Sequence, residues 1–149
     1  MAENVCSRKP RKWNLPLTYA PKIEAVKAGT CTQTIRTGRK FRDGDLIRFY
    51  TWLGKPYRSK RETITGYMQL WMVEDVLIID TGFLHYHNGK FQKETVWNGW
   101  EMRDLAQKDG IVPMTGEALR DVLISKNGKI PAGGVEAQII RWNPEAAHV

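Results

Sequence analysis

The pair Asn88-Gly89 constrains the fold more strongly than any other short segment of this chain. It separates two segments that alternate polar and apolar residues, within residues 83–96. Asn-Gly is a favoured pair for the two-residue turn that joins antiparallel strands, because both residues adopt positive φ at low cost. The sequence therefore predicts a β-hairpin in this part of the chain.

Further short strands and a few helices surround the hairpin. Strand-like segments bounded by turn residues lie at residues 14–20, 32–36, 43–52 and 135–142, and residues 63–79 predict two strands with a kink near Glu74 and Asp75. Three helices are predicted, each ending with a glycine, at residues 21–29, 99–110 and 115–128. Many short strands with a few inserted helices predict an α+β, mostly β fold: a small mixed β-barrel with a few short helices.

The chain is long enough for one domain with its own core, at 149 residues. Residues 1–12 lack apolar periodicity and carry four cations, which predicts a flexible basic tail before a single domain over residues 13–149. The two cysteines, Cys6 and Cys31, give neither a disulfide framework nor a metal-ligand spacing, so we expect no metal and no cofactor. Because no signal peptide and no membrane-spanning apolar run is evident, we expect a cytoplasmic protein with no membrane partner.

The formal net charge of +7 is concentrated in one block, residues 36–61. This block holds nine Lys and Arg against two acids, whereas the other residues balance fourteen basic against fourteen acidic side chains. A local cationic excess favours a polyanionic partner through counterion release and electrostatic steering. The block therefore indicates a nucleic-acid partner, although a solvated basic hairpin that only aids solubility would carry the same charge.

A polar strand is predicted directly after the first helix. Side chains alternate between the faces of a strand, so Thr32, Thr34 and Arg36 share one face if Gln33 and Ile35 point to the core. Hydroxyls and a guanidinium on one face form a donor-rich surface that suits a phosphate, a carboxylate or a base edge. We expect this face to form the wall of a binding cleft.

Aromatic side chains alternate with cations inside the basic block. Arg48, Tyr50 and Trp52 share one face of a predicted strand, an arrangement that suits single-stranded nucleic acid because bases stack on the rings. The alternative is that Tyr50 and Trp52 pack beneath a helix. The predicted nucleic-acid-binding residues are Thr32, Thr34, Arg36, Arg39, Lys40, Arg48, Tyr50, Lys55, Arg58, Lys60 and Arg61.

The polar strand also resembles a known sequence motif. Four residues fall on the defined positions of the G-x-K-x-x-E-x-R motif of the ASCH domain family, which is related to the PUA domain: Gly29, Cys31, Thr34 and Arg36, with Cys31 at the lysine position. The order of elements is similar too, with a Gly44-Asp45 turn opening the next strand. The resemblance covers residues 15–142. It implies a PUA-like small β-barrel that binds RNA or nucleotides in a cleft near the motif.

One subset of this family implies an enzymatic activity. Small bacterial members hydrolyse the amide of N-acetylcytidine, and their motif reads like GRKTITIR, with a lysine, the second threonine and a later glutamate taken as catalytic. By position the threonine falls on Thr34, the glutamate on Asp109 and the lysine on Cys31. Catalytic roles for Cys31, Thr34 and Asp109 follow from this resemblance, with Cys31 able to act only as a thiolate in an electropositive setting. A structural, half-buried Cys31 is the alternative.

Two function hypotheses result. The first is a binding module for RNA or single-stranded nucleic acid, and the second is an amidohydrolase that acts on an acylated, cytidine-type modified nucleoside. A regulatory module that binds a protein through exposed aromatic side chains is a third possibility. His85 and His87 share a strand face and are interpreted as a surface pair, since no neighbouring ligand completes a zinc site.

Overall fold

The computed structural model describes residues 9–55 and 57–143, and this part of the chain contains eight strands and three helices. The strands are β1 (Lys12–Pro16), β2 (Gln33–Thr37), β3 (Leu46–Trp52), β4 (Arg61–Thr63), β5 (Met68–Ile79), β6 (Gly82–His87), β7 (Lys90–Val96) and β8 (Val135–Trp142). The helices are α1 (Ala20–Ala28), α2 (Trp100–Lys108) and α3 (Gly116–Asn127).

The strands form one open eight-stranded sheet. Its main path runs β1-β3-β5-β6-β7, while β4 pairs with β3, and β8 pairs with both β5 and β2. The β1–β3 pair is parallel and the other pairs are antiparallel. The mixed, mostly β fold is confirmed. The closed barrel is not confirmed, because the sheet has free ends.

Strand β5 differs from the sequence-based prediction. Residues 63–79 do not form two strands separated by a kink at Glu74 and Asp75, since β5 continues unbroken from Met68 to Ile79. Glu74 and Asp75 pair in regular register with Ile139 and Gln138 of β8, and these ladder bonds keep the strand extended. The irregularity lies nearer the start of the strand, between Leu70 and Met72.

Turn and cap residues act as predicted. Strands β6 and β7 form the hairpin, and Asn88 and Gly89 both have positive φ, 51° and 85°. Helix α1 ends at Gly29 in the left-handed conformation, with its N–H bonded to carbonyls of the last turn. Helix α3 begins after Thr115, whose side chain accepts a hydrogen bond from the Ala118 N–H.

The predicted basic tail, residues 1–12, extends too far into the chain, because Arg11 and Lys12 belong to the fold. Residues 1–8 of the predicted tail lie outside the described residues, but its last residues belong to the fold. The backbone N–H of Arg11 bonds to Asp45 Oδ1 at 3.1 Å, and Lys12 is the first residue of β1. The structured part of the domain therefore includes Arg11 and Lys12.

Two apolar clusters lie on opposite faces of the β2–β8 ladder. The first lies beneath α2 and α3 and includes Ile35 and Ile139, which are directly paired. The second is covered by α1, β1 and β3 and includes Ile140 and Trp142. Because both faces of the ladder are covered, the polar side chain of Thr34 in β2 is buried, with only 1% of its surface exposed. This enclosure positions the candidate site.

Candidate functional site

Three polar side chains from distant parts of the chain meet in the interior. Lys22 in α1 donates one hydrogen bond to Thr34 Oγ1, at 2.8 Å, and another to Asp109 Oδ2, at 2.9 Å. Lys22, Thr34 and Asp109 are 4%, 1% and 3% exposed, so the group is shielded from bulk water. We call these three residues the buried triad. Burying the Lys22–Asp109 ion pair costs desolvation free energy, whereas a contact between two apolar side chains would join the same elements without that cost.

Local structure explains why each residue of the buried triad points into the interior. Lys22 lies four residues before Val26, so both side chains project from the same side of α1, and both are buried. Thr34 points to the face of β2 opposite Ile35. Asp109 caps the C-terminus of α2, where its backbone N–H bonds to Leu105 O at 3.0 Å. Helix and strand periodicity therefore bring an ammonium, a hydroxyl and a carboxylate together.

Gly110 allows this close approach of elements. It has a φ of 74°, in the left-handed region. A Cβ at this position would lie 3.3 Å from Lys22 Cα and 3.4 Å from Cys31 Cβ. Gly110 therefore brings the end of α2 directly against both Lys22 and Cys31.

The carboxyl group of Asp109 is basic for an aspartate. Burial raises its pKa, and the charge and hydrogen bond of Lys22 oppose that increase. Its Oδ2 accepts from Lys22, whereas Oδ1 is buried and has no hydrogen-bond partner among the described residues. An unpartnered buried carboxylate oxygen costs free energy in the folded state. A proton or a hydrogen-bond donor on a ligand would satisfy this Asp109 Oδ1 atom.

Two further cations act on the triad. Burial lowers the pKa of Arg36 to about 10, and the Asp109 charge acts in the opposite direction. Arg36 donates through Nη2 to Pro16 O at 3.0 Å, but its Nε is buried without a partner among the described residues. Although Lys126 is an exposed residue of α3, desolvation and the charges of Lys22 and Arg36 lower its pKa to about 8. The charges of three cations therefore act on one carboxylate, and the site has a net positive field.

Cys31 lies beside the triad as a neutral thiol. It is 0% exposed, and its Sγ–H donates to Gln33 O at 3.3 Å. Burial raises the pKa of Cys31 to about 11, which outweighs the opposing charge of Lys22. The electropositive setting that a thiolate requires is present, but desolvation has the larger effect.

The predicted cleft residues are only partly brought together. Thr34 and Arg36 are on the same face of β2 near Asp109, as the alternation predicted. Thr32 instead borders a cavity next to Trp71 and Lys108. Arg39 and Lys40 are exposed and border a different cavity of about 540 Å³, which Arg36 also reaches. Arg36 therefore lies between the triad and the basic block.

The rest of the basic block lies on a separate surface around β3 and β4. Arg61 lies over the rings of Tyr50 and Trp52, with its Cζ 4.4 and 5.1 Å from the ring centroids. Arg48 lies over the ring of Tyr67 at 4.6 Å. Tyr50 and Trp52 thus pack against Arg61 rather than beneath a helix. The remaining predicted cations of this surface are exposed in the β3–β4 connection: Lys55, Arg58 and Lys60.

Sequence reasoning missed one member of the triad. The lysine of the family motif was assigned by position to residue 31, whereas the structure places the ammonium of Lys22 against Thr34. The spacing of Lys22 and Val26 predicts a shared helix face, and this was the available signal. A lysine is so rarely buried that its helical position alone would not have indicated a site.

Comparisons with known proteins give no match. No family model, no curated protein and no solved structure matches this chain significantly. Among the described residues, no group of three or more His, Cys, Asp or Glu could hold a metal ion. No helix in the described ranges is long and apolar enough to cross a membrane. The relation to the ASCH family therefore stays a prediction.

The raised pKa of Cys31 predicts slow alkylation in the folded protein. In a Cys6→Ser variant, where Cys31 is the sole thiol, the iodoacetamide reaction should be slow at pH 8 and should accelerate as the pH approaches 11. The same variant in urea should react readily at pH 8, because an exposed thiol has a pKa of about 8.5. Equal rates in the folded and unfolded states would contradict the described burial.

Proposed function

We propose that the buried triad is the active site of an amidohydrolase. The observation that carries this proposal is the pair of hydrogen bonds from Lys22 Nζ, at 2.8 Å to Thr34 Oγ1 and 2.9 Å to Asp109 Oδ2. A hydroxyl becomes a useful nucleophile when a proton acceptor is within hydrogen-bond reach and is itself oriented by a third group. The charged Lys22 ammonium donates to both oxygens, and in the proposed role it becomes the acceptor for the Thr34 proton once it has passed a proton to Asp109, which also orients it.

The proposed reaction begins with attack of Thr34 Oγ1 on the carbonyl carbon of an acyl amide. The Thr34 proton passes to Lys22 Nζ while Lys22 passes a proton to Asp109 Oδ2. Breaking the C–N bond returns a proton through Lys22 to the departing amine and leaves the acyl group on Thr34. Water then attacks the acyl carbon and passes a proton through Lys22 to Asp109, after which the acyl group leaves as a carboxylic acid and the Thr34 oxygen regains its proton by the same route.

The electrostatics of the site support this proton route. A lysine serves as a base only when it is neutral, and the raised pKa of Asp109 makes this carboxylate a better acceptor for the Lys22 proton. The charges of Arg36 and Lys126 favour the negative charge that develops on the carbonyl oxygen. The unpartnered Arg36 Nε is a donor of the kind that a substrate oxygen would satisfy.

The substrate class rests on the resemblance rather than on the geometry. We propose a diverged ASCH-type domain of the PUA-like superfamily, acting on an acylated cytidine-type nucleoside in the cytoplasm. In this chain the ammonium of the motif lysine comes from Lys22 of α1 instead of residue 31. The packing of both residue 22 and residue 31 against Gly110 supports this change of position, because side chains at the two residues begin close to each other.

Replacing the proposed nucleophile should abolish turnover. Thr34→Ala should lower kcat for release of cytidine from N-acetylcytidine by about 10³-fold or more, because the hydroxyl forms the acyl intermediate. The assay would follow cytidine formation by chromatography. Thr30→Ala is the matched control, since Thr30 is exposed four residues earlier and bonds only to Ala25 O among the described contacts.

Three results decide this assay. Retained activity in Thr34→Ala would assign the chemistry to another group. An equal loss in Thr30→Ala would indicate damage to the fold. Absence of activity in the wild type, with acylated nucleosides of several acyl sizes, would reject the amidohydrolase proposal.

A second candidate function is the binding of RNA or single-stranded nucleic acid at the β3–β4 surface. The specific observation is the placement of Arg61 over both Tyr50 and Trp52, beside the exposed cations of the β3–β4 connection. Bases stack on aromatic and guanidinium planes, while cations contact the phosphates. This surface is separate from the buried triad, so binding there is compatible with hydrolysis at Thr34.

Arg61→Ala should weaken binding of a labelled single-stranded RNA. We expect a loss of about 1–3 kcal/mol in binding free energy, measured by fluorescence anisotropy, and a smaller salt dependence of the binding constant. Arg103→Ala, an exposed cation on α2, is the matched control for a simple change in net charge. Equal effects of both substitutions, or no binding at low salt, would contradict a dedicated surface.

A further inference from the structure

The structure contains a second cluster of reactive side chains, on a different face of the sheet. His85 Nδ1 lies 2.7 Å from Glu74 Oε2, and His85 Nε2 lies 2.8 Å from Thr95 Oγ1. The three residues belong to β5, β6 and β7, which are neighbours in the sheet. The order carboxylate, imidazole, hydroxyl is the arrangement that activates a hydroxyl nucleophile. Of the two histidines interpreted as a surface pair, only His87 is exposed, since 14% of the His85 side chain is accessible and both of its ring nitrogens are hydrogen-bonded.

Sheet register explains why these side chains converge. His85 is paired with Val76, and Thr95 is paired with Phe83, so paired residues point to the same face. Residues two apart on a strand share a face, so Glu74 lies on the same face as Val76, and His85 lies on the same face as Phe83. The cluster therefore lies at the open margin of the apolar core beneath α2.

The hydrogen bonds define the roles of the two imidazole nitrogens. The pKa of Glu74 is lowered, chiefly by its hydrogen bond with His85, so this carboxylate is ionised near neutral pH and accepts from Nδ1–H. In the neutral imidazole whose proton is on Nδ1, Nε2 accepts the Thr95 hydroxyl proton. The other carboxylate oxygen, Glu74 Oε1, is held by Arg141 Nη1 at 3.3 Å. Arg141 therefore fixes the carboxylate that orients the imidazole.

A cavity of about 620 Å³ gives a ligand access to this cluster. Glu74, His85 and Thr95 all line it, together with Lys93 and the rings of Tyr86 and Trp100. The volume lies within the range of small-molecule sites. Lys93 is two residues from Thr95 on β7 and thus shares its face, where its ammonium favours a developing oxyanion.

We propose that this cavity is a second catalytic site, an acyl-transfer site for carboxylic esters with an aromatic portion. Tyr86 and Trp100 offer rings to an aromatic group. An ester suits the cluster because an alkoxy group leaves more easily than an amine. This site shares no residue with the buried triad and does not depend on the amidohydrolase proposal.

The proposed ester hydrolysis needs only the ester and water as reactants. Thr95 Oγ1 attacks the ester carbonyl carbon, and its proton moves to His85 Nε2. The carbon–alkoxy bond then breaks, His85 protonates the departing alcohol, and the acyl group remains on Thr95. Water attacks this acyl group, gives its proton to His85, and releases a carboxylic acid, while the Thr95 hydroxyl is reformed.

Acyl labelling tests this site directly. The wild type would be treated with p-nitrophenyl acetate, and the acetylated residue located by mass spectrometry of proteolytic peptides. We expect an acetyl group on Thr95, no label at this position in Thr95→Val, and retained labelling in Thr95→Ser, which keeps a hydroxyl. His85→Gln should slow labelling by about 10²-fold or more, because it removes the proton acceptor. Thr63→Val, an exposed threonine of β4, is the matched control.

Each outcome supports or overturns the proposal. Acetylation confined to lysines, to the N-terminus or to Thr34 would overturn it. Labelling of Thr95 at an unchanged rate in His85→Gln would do the same, because the imidazole would then have only a structural role. Thr95→Ser separates loss of the nucleophile from loss of the fold, since its hydroxyl can make the same bond to His85.

Discussion

The ion pair between Lys22 and Asp109 is the interaction on which the arrangement of the interior depends. Its two residues are 87 positions apart, and the 2.9 Å contact joins α1 to the end of α2. Removing one partner of a buried pair leaves an uncompensated charge and costs about 3–5 kcal/mol. An apolar pair of similar size would join α1 to the end of α2 without exposing the fold to the cost of an unpaired buried charge. The charges therefore point to a chemical role.

Helix α2 connects the two candidate sites. Its C-terminus supplies Asp109 to the buried triad, and its first turn supplies Trp100 to the cavity beside His85. Strand β2 and the residue before it hold the helix in place, because Gln33 Nε2 donates to Leu105 O and the Thr32 N–H donates to Lys108 O. One short helix thus contributes a residue to each candidate site, Asp109 to the buried triad and Trp100 to the cavity wall beside His85.

Local signals in the sequence predicted the elements well, and long-range contacts were the main source of error. The Asn88-Gly89 turn and the glycine after α1 act through their own backbone conformation, so neighbouring residues suffice to predict them. The unbroken course of β5 depends on pairing with β8, some 60 residues further along the chain. Sheet closure also depends on distant strands, so the local strand pattern does not determine whether the sheet closes into a barrel.

The candidate sites, like the fold, combine features that local sequence predicts with features that depend on long-range contacts. Alternation along β2 placed Thr34 and Arg36 together, but nothing local to either residue indicates that Lys22 lies between Thr34 and Asp109. Likewise, the Glu74–His85–Thr95 cluster requires the register of three strands. The basic block is one segment in sequence but two surfaces in space, because Arg39 and Arg61 lie on different sides of the β3 region.

Moving the lysine tests the central claim most directly. The claim is that Lys22 supplies from α1 the ammonium that the motif places at residue 31. The measurement is kcat for N-acetylcytidine hydrolysis by Lys22→Ala and by the double variant Lys22→Ala/Cys31→Lys. The account predicts a loss of about 10²-fold or more in the single variant and substantial recovery in the double variant, since both positions adjoin Gly110. Full activity in Lys22→Ala would contradict the account.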